Sequence, residues 1–261
     1  MISSDFRTEA RRRLSEKWGN AVCITLAYIV IFFVISFIEG LFPDSMKTIF
    51  SIINLVIEVP LAFGLIIAFL KLYNDEEVKA FDFLTLGFSN FAKSWKISLQ
   101  ILVKMIIPVI LVIISYVLIA FGAVGTVGAS LYSSSATAGF GALTIIGFIL
   151  LIVSAIWATT KSYYYQLSYF VAFDNSDLTA KEAVEKSKEL MTGKRGKLFC
   201  LQLSFIGWAI LAAIPLGIGF LWLAPYVQMA TIAFYKFVSG NTSNVEAEVV
   251  AENNDNPVQG E

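Results

Sequence analysis

Six long runs of apolar residues restrict this chain to one kind of fold. An α-helix rises about 1.5 Å per residue, so about 20 apolar residues are needed to cross the ~30 Å hydrocarbon core of a bilayer. The last long run is twice that length, but Pro215, Gly217 and Gly219 lie in its middle and are typical of a tight turn. We therefore predict six spans, at about 21–42, 49–70, 97–125, 142–173, 198–215 and 219–238.

The composition agrees with a membrane bundle. Apolar residues make up 57% of the chain and charged residues 15%, whereas soluble domains have roughly 45–50% and about 25%. We predict an all-α fold, a polytopic membrane helix bundle of six transmembrane helices that covers residues 1–239. Residues 240–261 contain five acids and no lysine or arginine, which predicts a disordered, acidic cytoplasmic tail.

Lysine and arginine placement predicts the orientation. With the N-terminus inside, 17 of the 19 basic residues fall on inner segments; Lys47 alone lies outside and Lys104 lies within a span. Basic residues concentrate in the cytoplasmic loops of membrane proteins. The sequence therefore predicts a multi-pass protein of the plasma membrane with both termini in the cytoplasm.

A basic amphipathic stretch precedes each odd-numbered span. These stretches predict helices that lie in the headgroup region and contact the anionic lipid of the inner leaflet. The third stretch begins with Thr179 and Glu182, which have the spacing of a capping box. The apolar stripes are Phe6, Ala10, Leu14 and Trp18; Phe81, Leu84, Phe88, Phe91 and Trp95; and Ala183, Val184, Ser187, Leu190 and Met191.

Polar residues inside the spans are the candidate site, because charged groups at bilayer depth cost at least ~2.5 kcal/mol. Glu58 lies deep in the second span, and either Lys161 or Lys104 could pair with it. Lys104 could instead extend to the inner surface. The depth of Lys161 depends on whether the fourth helix ends near Thr160 or continues to Phe173. The possible intramembrane polar site comprises Glu58, Lys161, Lys104, Asn54, Tyr164 and Tyr165.

Small residues near the end of the third span allow two interpretations. Gly122, Gly125 and Gly128 either let two helices approach closely or form a flexible outer loop. The run from Ser133 to Gly139 is expected to continue such a loop.

Several motifs resemble a bacterial membrane family of unknown function, catalogued as domain of unknown function nine-seven-five. They lie mainly in the last third of the chain and extend to its N-terminus. The matching residues are Asp174 to Ala183, Ser187 to Met191, Gly193, Lys197 to Phe199, Leu203 to Trp208, Leu216 to Gly219, Leu221 to Tyr226, Phe234 and Tyr235, with Ala10, Arg11, Leu14, Trp18, Gly19, Pro60, Leu61, Gly64, Phe81, Asp82, Gly87 and Phe88. Ala158 to Thr160 depart from the family's usual Pro-Gly turn. The family is distantly similar to the membrane domain of bacterial glycerophosphodiester phosphodiesterases, and the resemblance implies a fold but no activity.

The sequence leaves several functions open. We expect no catalytic, cofactor-binding or metal-binding residues, because the chain lacks histidine and the motifs of those sites. The expected function is a non-enzymatic membrane module that acts as scaffold, sensor or lipid handler. The alternative is a small-solute or ion transporter or channel that uses Glu58 and a lysine, and a membrane enzyme is the third hypothesis. The expected partners are membrane lipid and an unidentified membrane protein, without nucleic acid.

Overall fold

The computed structural model describes the backbone of residues 3–132 and 134–255, and the side chains of these residues except 134 and 241–255. The described chain is helical. The helices are α1 (Ser3–Leu14), α2 (Trp18–Gly40), α3 (Asp44–Tyr73), α4 (Asp82–Ser89), α5 (Phe91–Ala129), α6 (Ser134–Tyr165), α7 (Ser168–Asp174), α8 (Ala180–Met191), α9 (Arg195–Leu203), α10 (Ile206–Ala213) and α11 (Phe220–Asp255). Disorder of the tail at 240–261 stays a prediction, because the side chains of residues 241–255 and all of residues 256–261 lie outside the described part.

Five stretches in the described part of the chain are long and apolar enough to cross a membrane. They are Trp18–Gly40, Asp44–Tyr73, Phe91–Ala129, Ser135–Asp174 and Arg195–Ala213. The protein is therefore a multi-pass membrane protein, but the predicted sixth span at 219–238 is not among them. That segment carries Pro225, Gln228 and Lys236, and its apolar residues from Met229 to Val238 are mostly buried against protein.

The chain forms two compact units. The first contains residues 1–98 and 167–261, and the second contains residues 99–166. In the first unit, α11 packs against α1, α2, α3, α8, α9 and α10. The Phe6 ring of α1 contacts the rings of Phe234 and Phe237 at 5.4 and 5.5 Å. The first unit is thus built around the middle of α11.

Helices form at the three predicted amphipathic stretches, but two of their apolar stripes face protein. Phe6, Ala10 and Leu14 of α1 are fully buried, and the predicted stripe of α8 is buried as well. These stripes therefore pack against α11 and α7, and contact of the two helices with lipid stays a prediction. The capping box of α8 is present, and Glu182 Oε2 accepts a hydrogen bond from the Thr179 amide at 2.8 Å.

Helix α4 differs, because its predicted stripe remains on the outside. Phe81, Phe88 and Phe91 are exposed, while Phe83 and Gly87 pack against α3. Two glycines allow this packing. A Cβ on Gly64 would lie 2.0 Å from the Phe83 carbonyl oxygen, and one on Gly87 would lie 2.2 Å from the Pro60 carbonyl oxygen. The two backbones therefore cross in direct contact.

In the second unit, α5 and α6 also approach through small residues. A Cβ on Gly122 would meet Thr144 Oγ1 at 2.5 Å, and one on Gly147 would meet Ile119 Cγ1 at 2.8 Å. Close helix approach is therefore the correct interpretation for Gly122 and Gly125, whereas Gly128 has open space around it. The expected loop is wrong for residues 134–139, since α6 already begins at Ser134, while Ser133 lies outside the described residues.

The fourth predicted span continues beyond Thr160. Helix α6 extends to Tyr165, and α7 follows from Ser168 to Asp174 after a short turn. Tyr164 and Tyr165 therefore belong to the helix that carries Lys161, and this helix ends between the two positions that the sequence left open.

Candidate functional site

The six residues of the predicted intramembrane site lie in different units. Glu58 and Asn54 belong to the first unit, while Lys104, Lys161, Tyr164 and Tyr165 belong to the second. The pairing of Glu58 with a lysine therefore stays a prediction. The Glu58 side chain is exposed at the protein surface, near enough to the Tyr28 hydroxyl to act on it electrostatically.

Asn54 bonds to an acidic residue that the sequence analysis did not single out. Its Nδ2 donates to Glu39 Oε2 at 3.4 Å, and Ser51 Oγ donates to Glu39 Oε1 at 3.2 Å. The Asn54 Oδ1 atom is buried without a hydrogen-bond partner among the described residues. Sequence reasoning missed Glu39 because it lies at the end of an apolar block, although a carboxylate within a predicted span was a usable signal.

Lys161 is half-buried, and its Nζ lies 4.8 Å from the centre of the Trp157 ring. This is the geometry of a cation–π contact one helical turn apart. The rings of Tyr164 and Tyr165 are 6.4 Å apart, and Lys104 is half-buried on α5. These contacts fit an aromatic, interfacial end of α6.

Pro60 leaves one carbonyl of α3 without its helical donor. Proline at that position removes the amide that would bond to the residue four earlier, Val56. The Trp95 indole Nε1 donates to the Val56 carbonyl oxygen at 3.3 Å instead. The tryptophan at the start of α5 thus satisfies a backbone group that would otherwise be unpaired in lipid.

A cluster of ion pairs joins α1 to the end of α3. Arg13 Nη1 lies 2.9 Å from Asp75 Oδ2, and Lys17 Nζ bonds to Asp75 Oδ1 and, at 3.0 Å, to the Leu72 carbonyl. The hydrogen bond from Lys17 lowers the pKa of Asp75. Similarly, the hydrogen bond from Arg12 lowers the pKa of Glu9, although partial burial opposes this. The cluster fixes α1 on the first unit.

Beside this cluster lies a cavity of about 380 Å³ between α1, α2, α10 and α11, which we call the tryptophan cavity. Three of the chain's five tryptophans line it, with Tyr226 and Arg11. Trp208 and Trp222 are 52% and 50% exposed, so the cavity opens to the side of the helices. The lining residues are Arg11, Trp18, Trp208, Leu211, Ala212, Gly219, Trp222, Leu223 and Tyr226.

Two arginines of α1 lie at the Tyr226 end of the cavity. The Tyr226 hydroxyl donates to the Arg7 carbonyl oxygen at 3.3 Å, and both Arg7 and Arg11 act on that hydroxyl electrostatically. The Nε of Arg7 is buried and has no acceptor among the described residues. A guanidinium group bonds phosphate and carboxylate in a forked geometry.

The cavity therefore combines apolar aromatic walls with positive charge at one end. Tryptophan and tyrosine suit sites where an apolar body meets a polar group. Such a cavity is complementary to an amphiphile with an anionic head and an apolar chain. Sequence reasoning noticed Trp18 as part of a stripe and Trp208, Trp222 and Tyr226 as family motif, but could not bring them together.

Neither the curated proteins nor the solved structures give a match to this chain. One family model does match it, over residues 1–242, and its description is "Protein of unknown function (DUF975)". Because the match spans nearly the whole chain, the protein belongs to the DUF975 family.

Proposed function

We propose that the protein is a non-enzymatic, lipid-handling module of the plasma membrane, with both termini in the cytoplasm. In this proposal the tryptophan cavity binds an anionic lipid of the inner leaflet. The observation that carries it is the placement of Arg11, beside Arg7, at the end of a laterally open cavity with three tryptophans. The excess of basic residues on the same segments would attract anionic lipid to this side.

Lipid retention by the purified full chain tests the proposal. Native mass spectrometry would compare phosphatidylglycerol with phosphatidylcholine of the same acyl chains. We expect preferential retention of phosphatidylglycerol, weakened about tenfold or more by Arg11→Gln, because a charged hydrogen bond contributes roughly 1.5–3 kcal/mol.

Arg12→Gln is the matched control. Arg12 is the neighbouring residue on α1, but its side chain is 70% exposed and paired with Glu9 at 2.7 Å, outside the cavity lining. Retention should be unchanged in this variant. Equal retention of both lipids, or equal losses in the two arginine variants, would exclude the cavity as the lipid site.

A transporter or channel is the second candidate. The Glu39, Ser51 and Asn54 cluster favours it, since Glu58 lies one turn further along α3 from Asn54. Solute or ion flux into proteoliposomes that Glu58→Gln abolishes would support this function. The distant relationship to glycerophosphodiester phosphodiesterase membrane domains and an additional membrane protein partner also remain proposals. Six crossings are the alternative to the topology proposed below.

A further inference from the structure

We propose that α10, α11 and the turn between them form a re-entrant hairpin that enters only one leaflet. We call residues 206–225 the hairpin. If they do not cross the membrane, the chain has four full crossings, and both termini still lie on one side. The proposal concerns the depth of the hairpin and does not require that the cavity bind lipid.

Tyr226 marks the level at which the hairpin begins. Its ring contacts that of Phe205, just before α10, at 5.1 Å, and that of Trp18, the first residue of α2, at 6.4 Å. Its hydroxyl donates to the Arg7 carbonyl of α1. Helix α1 also carries Arg11, Arg12 and Arg13, so this level belongs to the membrane surface rather than to the hydrocarbon core.

The hairpin is too short to reach the opposite surface from that level. Tyr226 lies seven positions after Gly219, and α10 contains eight residues, so each arm rises about 10–12 Å. The bilayer core is ~30 Å thick. Helix α2 starts from the same level and has 23 residues, which gives about 34 Å. The hairpin and α2 start at the same level, but the hairpin ends at a much smaller depth.

The two arms are in contact next to the turn, so the turn cannot lie farther into the membrane. A Cβ on Gly219 would lie 2.5 Å from the Ala212 Cα, so the arms are already in contact at the residues that flank the turn. The φ angles of Leu216 and Gly217 are +53° and +83°, as a tight reversal requires. Residues 214–219 are thus the tip of the hairpin.

Burial along α2 supports the same depth independently. The buried residues of α2 are Ala21, Ile24, Thr25 and Ala27, all within about 15 Å of Trp18. Beyond them the side chains of α2 are partly or largely exposed. This is the pattern expected if the neighbouring hairpin accompanies α2 for only the first half of its length.

The tip also has the chemistry of a membrane interior. No charged residue lies between Lys197 and Lys236, and the tip consists of Ile214, Pro215, Leu216, Gly217, Ile218 and Gly219. Leu216 is 96% exposed. By contrast, the first turn of α3, just after the turn that follows α2, carries Asp44 and Lys47. In a loop exposed to water, such apolar side chains would be unfavourable.

Backbone groups in lipid must be paired, and the tip pairs several of its own. The Gly217 amide donates to the Ala213 carbonyl at 3.3 Å, and the Ile218 amide donates to the Pro215 carbonyl at 3.0 Å. The amides of Phe220 and Leu221 donate to Gly217 and Ile218 at 3.0 and 3.1 Å. Pro215 has no amide hydrogen to leave unpaired.

If the tryptophan cavity binds lipid, as proposed above, a re-entrant hairpin limits which leaflet can supply that lipid. The tryptophan cavity lies along the hairpin and opens sideways, so only lipid of the leaflet that α1 faces could enter it. A phospholipid phosphate would lie at Arg11 and an acyl chain beside Trp208 and Trp222. The opposite leaflet would not supply the site.

Cysteine labelling of the full chain in sealed membranes tests the depth of the tip. Cys23 and Cys200 are free and exposed, so both are first replaced by serine. Leu216→Cys is then compared with Lys47→Cys and Lys188→Cys, using a membrane-impermeant maleimide on either side. We expect Lys47→Cys to react from one side only, Lys188→Cys from the other only, and Leu216→Cys from neither until detergent is added.

Reaction of Leu216→Cys from the Lys47 side would show that the hairpin crosses the membrane, and reaction from the Lys188 side would show that it stays in water. A nitroxide attached to Leu216→Cys separates burial in lipid from burial in protein. Strong relaxation by oxygen with little effect of a water-soluble nickel complex is expected. Strong relaxation by nickel, or none by either, would overturn the proposal. Phosphatidylglycerol retention is measured separately and does not depend on this result.

Discussion

At the scale of single residues, the contacts of α1 explain why its arginines occur in a row. Arg13 and Lys17 bind Asp75, Arg12 binds Glu9 of the same helix, and Arg11 lines the tryptophan cavity. Asp75 has a φ angle of +68°, which aspartate tolerates better than most residues. Arg13 therefore attaches α1 to the end of α3, Arg12 pairs within α1, and Arg11 is placed to meet a ligand in the cavity.

The ion pairs of Asp75 predict a defined dependence on pH. The pKa of Asp75 is lowered in the folded protein, so its contribution to stability is present above the unfolded pKa of about 4 and is lost as pH falls through the folded value. Asp75→Asn should lower the Tm of the detergent-solubilised protein at pH 7. Thermal unfolding should show this difference shrinking as the pH falls below the unfolded pKa of about 4 and Asp75 becomes protonated.

Glu16→Gln, on an exposed residue next to the same cluster, is the control and should leave Tm unchanged at both pH values. A difference between Asp75→Asn and the wild type that persisted in acid would mean that the ion pairs do not hold α1.

At the scale of elements, close backbone crossings recur in both units. Gly64 and Gly87 let α4 lie directly on α3, and Gly122 and Gly147 do the same for α5 and α6. Between membrane helices the hydrophobic effect adds little, so small residues at the contact stabilise packing through close approach. Pro60, Gly64 and Gly87, which carried the family resemblance, are therefore explained by one crossing.

We expect Gly64→Ala and Gly87→Ala each to destabilise the protein by about 1–3 kcal/mol, because the added carbon would overlap backbone. The double variant should lose less stability than the sum of the two single losses, because both substitutions disrupt the same crossing. Chemical denaturation of the purified protein measures these values.

Gly141→Ala provides the control, because a Cβ there meets open space within α6. It should be neutral or stabilise by up to about 1 kcal/mol, as alanine favours helix over glycine. Equal effects at positions 64 and 141 would refute the role of the crossing.

At the scale of the whole molecule, the orientation is the main prediction. Alkaline phosphatase is active only outside the cytoplasm, where its disulfides form. Fusions after residue 45, at the turn between α2 and α3, should be active. Fusions after residue 76, and at the C-terminus after residue 261, should be inactive. Activity at the C-terminus would mean that the termini lie outside or that the number of crossings is odd.

The sequence by itself determined the membrane class, the helical content and the location of α1, α4 and α8. These follow from local properties: apolar run length, helical spacing and capping, each of which requires only neighbouring residues. It also located the reversal at Pro215 and Gly217, because turn chemistry is local too.

Only the tertiary structure decided what each apolar residue contacts. The stripe of α1 has the same pattern whether lipid or α11 covers it, so periodicity could not show that Phe6 packs on Phe234. For the same reason the sequence cannot distinguish a span at 219–238 from a helix whose apolar residues from Met229 to Val238 are mostly buried in protein. Trp18, Trp208 and Trp222 come from three distant parts of the chain, and only helix packing brings them and Arg11 into one cavity.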